Sequence, residues 1–150
     1  MTRIITLLTA LLVPAALLAP AALADEHAEE PDQQRLFVTV TGSSAQDRAM
    51  PLVLANQALD QGAEVRVLLC GDGGMLALAD YEAETLQPRG LTPKDLLGRL
   101  IQHGATVEVC AIFLPNTEFS SEDLSEGIGT AAPGDVAAWM MGPDTRLFTM

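Results

Sequence analysis

The 150-residue sequence predicts an α/β fold, a three-layer α/β/α sandwich around a mainly parallel sheet of about five strands. Three observations carry this reading. Short β-branched runs alternate with helical stretches from Leu36 onward. Glycines at Gly62 and Gly104 stand where a helix should stop and a strand begin. The composition, 49% hydrophobic and 19% charged, is that of a globular chain, and the length suits one domain.

The elements follow in order. Leu36-Phe37-Val38-Thr39-Val40-Thr41 is a strand that runs into the loop Gly42-Ser43-Ser44. A helix then extends to about Gln61, with Leu52, Ala55 and Leu59 on one face and Gly62 as its stop. Pro51 belongs in or near its first turn, since a proline further in removes a hydrogen bond and kinks the helix. Val65 to Leu69 is the second strand, and Gly71-Asp72-Gly73-Gly74 breaks the chain before a short helix around Met75 to Asp80. Thr92-Pro93-Lys94-Asp95 is a helix start: Thr92 caps, Pro93 suits the first position and Asp95 the third. Leu96, Leu97, Leu100 and Ile101 give that helix an apolar face, and Gly104 ends it. Thr106 to Leu114 reads as the third strand, and Ser120 to Asp123 opens a short helix stopped by Gly127. Ile128 to Ala131 is a short strand. Pro133 starts the last helix, with Val136, Trp139 and Met140, and Arg146 to Thr149 is the final strand.

Gly62-Ala63-Glu64-Val65-Arg66-Val67 is echoed by Gly104-Ala105-Thr106-Val107-Glu108-Val109, and each copy leads into a cysteine. Arg66 and Glu108 hold equivalent places among apolar strand residues, where an unpaired charge is costly. They are expected to face each other from adjacent parallel strands.

The N-terminal residues read as an export signal. Arg3 supplies a positive start, Ile4 to Leu23 carry no charge, and Ala22-Leu23-Ala24 is a cleavage signal, so residues 1–24 are expected to be removed after Ala24. Pro14, Pro20 and the acidic flank disfavour the alternative of an uncleaved anchor. No cysteine lies near the cleavage site, which excludes a lipoprotein. Residues 25–34 read as a solvated acidic tail, and residues 35–150 as the domain. The expected location is the periplasm or the exterior, with no membrane attachment after cleavage. There Cys70 and Cys110 meet oxidising conditions, which leave a disulfide and a kept thiol both open.

Charge excludes other classes. The net charge of −12 argues against nucleic-acid binding, which needs clustered Lys and Arg. Two cysteines and two histidines are a poor ligand set for a metal, and Met50, Met75, Met140, Met141 and Met150 are spaced for core filling. No Ser-His-Asp set assembles, because His103 alone lies inside the domain, as a helix-end cap. Gly71-Asp72-Gly73-Gly74 matches neither nucleotide-loop pattern and has no lysine beside it, so it reads as a turn and no cofactor is expected.

Cys70 and Cys110 are the candidate site residues. Both come at strand ends, on the carboxyl edge where ligand sites of open α/β sheets collect and a thiolate can be stabilised. Asp72 stands near Cys70, and a carboxylate there would raise its thiol pKa; the apolar run Ala111 to Leu114 would bury Cys110.

The order Leu36–Thr41, Ala55 to Gly62, Val65–Leu69 with Gly71–Gly74, Val107–Cys110, Gly127-Ile128, Val136 and Arg146–Thr149 resembles the DsrE/DsrF-like (YchN-like) family over nearly all of residues 35–150. The resemblance implies a small parallel sandwich that assembles into trimers or hexamers. It also implies that the cysteine after the third strand, here Cys110, carries a persulfide in sulfur-relay members. Cys70 matches no family motif and stands as a second thiol. The run after Cys110 is apolar, where relay members have small or polar residues opening a helix, and export is a further departure from the relays. The expected function is that of an exported carrier of sulfane sulfur or thiols, at most sulfurtransferase-like, exchanging sulfur with a thiol or persulfide partner protein. The alternatives are a non-catalytic binding or assembly module on the same fold and a soft-metal binder.

Overall fold

The computed structural model describes residues 33–150. The expected signal segment and nearly all of the acidic tail lie outside the described residues. Five strands, β1 (Arg35–Val40), β2 (Glu64–Leu69), β3 (Thr106–Val109), β4 (Ile128–Thr130) and β5 (Thr145–Thr149), form one sheet in the order β4-β3-β2-β1-β5. Every pairing is parallel. The helices are α1 (Ala45–Asp60), α2 (Pro93–Gln102) and α3 (Pro133–Met140), with 3₁₀ turns at Gly71–Ala77, Leu114–Asn116 and Ser121–Asp123.

Strand alternation splits the sheet between two cores. Val38, Val40, Val65, Val67, Leu69, Val107 and Val109 point to one face and pack with Leu52 and Ala55 of α1 and Leu97 and Leu100 of α2. Phe37 and Leu68 point to the other, against Val136, Trp139 and Met140 of α3. This is the expected three-layer sandwich. The chain runs outward from β1 to β4 and returns through α3 to place β5 beside β1.

Local chemistry sets the ends. Ser44 caps α1 by accepting from the Asp47 N–H at 3.1 Å. At α2, Asp95 accepts from the Thr92 N–H at 2.8 Å and Thr92 Oγ1 accepts from the Asp95 N–H at 3.1 Å, a complete capping box. The Thr92 N–H first, and then the Thr92 hydroxyl, which donates to Asp95 Oδ2 at 2.8 Å, hold the Asp95 carboxyl below its ordinary value. His103 closes α2, its Nδ1 donating to the Arg99 carbonyl at 2.8 Å.

The sequence echo has the same local geometry twice. Gly62 and Gly104 both take φ of 89°. In each copy the glycine and the following alanine donate to the last turn of the preceding helix, Gly62 and Ala63 to Leu59 and Ala58, Gly104 and Ala105 to Ile101 and Leu100.

Three expectations are corrected. Pro51 lies in the second turn of α1, fully buried, where it removes the bond to the Asp47 carbonyl while adding to the core. The glycine run does not precede a helix around Met75 to Asp80; it is itself the first part of a 3₁₀ turn over Gly71–Ala77. The third strand ends at Val109 rather than Leu114, because the chain turns at Cys110, whose carbonyl accepts from the Phe113 N–H at 2.8 Å.

Candidate functional site

The site is built on the carboxyl edge of β2 and β3. The Cys70 N–H donates to the Val40 carbonyl at 2.9 Å and the Cys110 N–H to the Leu69 carbonyl at 2.8 Å. The ladder therefore runs one residue past each strand. Since Leu69 pairs with Val109, Cys70 and Cys110 are the next residues in register. Both thiols are free and half-buried, and the Cys110 thiol neighbours that of Cys70. Burial first, and then the Cys110 thiol beside it, push the Cys70 thiol up to about 12. Cys70 is thus protonated at neutral pH. Asp72 is not a cause of this shift, contrary to expectation; the neighbouring sulfur is.

Glycines let the two loops close around the pair. A Cβ on Gly73 would strike the carbonyl of Val40, and one on Gly74 would strike the Phe113 ring. Phe113 is 7% exposed and folds under the glycine turn, whereas Ile112 is 70% exposed. The apolar run after Cys110 therefore does not cover it as a whole: one side chain goes in and the other out. On the β1 side, Thr41 donates through its N–H and its Oγ1 to the Met150 carbonyl, at 2.8 and 2.9 Å.

Beneath the edge lies the ion pair expected from the echo. Arg66 Nη2 and Nε reach one oxygen of Glu108 at 2.7 and 2.8 Å, and Arg66 is 8% exposed. A third bond, at 3.4 Å, joins Arg66 to the Asp135 carbonyl of α3. Glu108 is two residues from Cys110 on the same strand, so the pair fixes the strand that presents it.

Sequence reasoning missed Arg48. It is 6% exposed, donates from Nε to the Gly42 carbonyl at 2.8 Å and from Nη1 to the Tyr81 hydroxyl, and pairs with no carboxylate among the described residues. Its guanidinium ties the loop after β1 to the segment beyond the glycine turn. An arginine within an Ala-rich helix carries no periodic signal of that role.

His103 is brought nowhere near the cysteines, since it precedes β3 and lies toward the sheet's amino edge. Among the described residues no group of three or more His, Cys, Asp and Glu side chains is placed to hold a metal. Clefts of about 470 and 640 Å³ open elsewhere, and neither is lined by a cysteine. Among the described residues no helix is long and apolar enough to cross a membrane.

Solved structures share this architecture. The crystal structure of the YchN protein from E. coli aligns with a TM-score of 0.62 at 16% identity, over 79% of this chain and all of that one. The structure of MTH1491, a protein of unknown function from Methanobacterium thermoautotrophicum, aligns with a TM-score of 0.55 at 14% identity, over 79% of this chain and all of that one. The chain thus has the YchN-like, DsrE-like α/β fold. No protein-family model matches the sequence. The uncharacterized protein MK0008 of Methanopyrus kandleri is 32% identical over 115 residues, 74% of this chain and 92% of that protein. The chain belongs to the family of MK0008.

Proposed function

We propose that this is an exported protein that handles sulfane sulfur or thiols, with Cys110 as the sulfur acceptor and Cys70 as a second thiol. One observation carries the reading: two free thiols are neighbours at the carboxyl edge of adjacent central strands, the edge where open α/β sheets keep their sites. The chemistry is thiol exchange. The Cys110 thiolate attacks a sulfane sulfur of a polysulfide or persulfide donor, a new S–S bond forms on Cys110, and the donor leaves one sulfur shorter. Nothing beyond a thiolate and a reachable partner is required.

The test uses Cys70→Ser, which leaves one thiol. After brief incubation with inorganic polysulfide, mass spectrometry is expected to find about 32 Da added at Cys110. An unmodified Cys110 overturns the reading.

A second reading, an assembly module without chemistry, is favoured by a different surface. Met141 is 86% exposed and Leu147 is 55% exposed, and among the described residues β5 leaves one strand edge unpaired. Homo-oligomers, trimers or hexamers, are compatible with either reading. Sedimentation of the purified protein as a single chain would remove that part of the proposal.

A further inference from the structure

We propose that Cys70 is the resolving thiol of this site: it attacks the Sγ of a sulfur-loaded Cys110, closes a Cys70–Cys110 disulfide and expels the outer sulfur as hydrosulfide. The proposal rests on the reading that Cys110 accepts sulfur, and it turns a carrier into a sulfide-releasing reductase of sulfane sulfur.

Geometry is the main support. The cysteines occupy matched positions one step past Leu69 and Val109 on neighbouring parallel strands. Neighbouring strands lie about 4.8 Å apart, within the Cα separation of roughly 4.4–6.8 Å that a disulfide spans. In matched register the two Cβ atoms leave the same side of the sheet, and each thiol is the other's neighbour. Bond formation therefore needs no strand to slide. Each cysteine is also the last residue before its chain leaves the sheet, Cys70 into the glycine turn and Cys110 into the turn closed by Phe113. The backbone can follow a small closing movement there without breaking the ladder inside the core.

The step balances. With the loaded site written as Cys110–S–S⁻ and Cys70 as a thiol, the Cys70 sulfur bonds to Cys110 Sγ and the Sγ–S bond breaks. The outer sulfur leaves with the bond's electron pair and takes the Cys70 proton as HS⁻. The sulfane sulfur gains two electrons and the two cysteines lose them. An external dithiol then returns the disulfide to two thiols by exchange. A protonated Cys70 suits this sequence, because the departing sulfur needs a proton and Cys70 brings one. It also gives the loaded state a finite lifetime, since burial disfavours the thiolate that attacks. Proximity offsets this by making the attack intramolecular.

Reduced protein and Cys70→Ser, with Cys70→Ala as a second variant, are loaded briefly with inorganic polysulfide without oxygen and desalted. Released sulfide and intact mass are then followed. The wild-type chain is expected to release about one equivalent of sulfide and end about 2 Da lighter than the reduced chain, with a peptide linking Cys70 to Cys110. Both variants should retain the added sulfur on Cys110 and release none. A wild-type chain that keeps its sulfur on Cys110 with Cys70 still free overturns this proposal and leaves the acceptor reading standing. Variants that never take up sulfur overturn the acceptor reading, and this proposal with it.

Discussion

Replacing Glu108 by alanine tests the ion pair beneath the cysteines. Arg66 would keep one bond, to the Asp135 carbonyl at 3.4 Å, and lose contacts of 2.7 and 2.8 Å to a carboxylate whose side chain is 17% exposed. Removing one partner of a buried pair costs about 3–5 kcal/mol, because the remaining charge stays out of water. The remaining bond and the partial exposure place this case at the lower end, about 3 kcal/mol. A domain of roughly 120 residues unfolds with an entropy of about 0.25 kcal/mol/K, so Tm should fall by about 12 °C. Thermal melts followed by far-UV circular dichroism read this directly. The double variant Arg66→Met with Glu108→Leu, which removes both charges and keeps the volume, should recover most of the loss. A Glu108→Ala melt within about 2 °C of wild type, or a double variant no better than the single one, would refute the claim that Arg66 is buried and depends on Glu108.

The remaining predictions concern the glycine turn, the α2 cap and the N-terminus. Gly73→Ala drives a methyl into the Val40 backbone, which cannot yield, and should cost about 2–3 kcal/mol by denaturant unfolding. Gly98→Ala, in α2 with nothing within 4 Å of the new Cβ, should instead stabilise by up to about 1 kcal/mol. Thr92→Ala removes the cap of α2 and should cost about 1 kcal/mol. Because the Asp95 carboxyl is held low by Thr92, its contribution is complete above the ordinary carboxylate pKa and is lost as pH falls through the lowered value. Acid titration of Asp95→Asn should lack that component. N-terminal sequencing of the exported protein should begin at Asp25, and a start at Met1 or Thr2 would contradict signal cleavage.

Much of this fold was legible because its signals are local. Thr92-Pro93-Lys94-Asp95 needs no tertiary context to cap a helix, and Gly62 and Gly104 stop theirs by backbone freedom alone. The echo put Arg66 and Glu108 on neighbouring parallel strands, but the register sets Arg66 beside Thr106 and Glu108 beside Leu68, so the two side chains meet diagonally across the strands. What failed depends on contacts distant in sequence. Ala111 to Leu114 has the composition of a strand, yet Phe113 is drawn back under Gly74 and ends β3 early. Pro51 stands a full turn deeper in α1 than its local preference allows, because its ring fills the core. The cysteines' place on the carboxyl edge could be read from strand order, but their being neighbours could not. It follows from the register of β2 against β3, and it makes Cys110 rather than Asp72 the neighbour that matters to Cys70.

Native-state alkylation tests most directly whether Cys110 is the reactive member of the pair. The reduced protein is treated with iodoacetamide at neutral pH and both cysteine peptides are followed by mass spectrometry. With the Cys70 thiol raised to about 12 by burial and by its neighbour, its thiolate is scarce, and each pKa unit costs roughly tenfold in reactive form. Cys110 should label first, ahead of Cys70. Equal rates, or labelling confined to Cys70, would contradict the account.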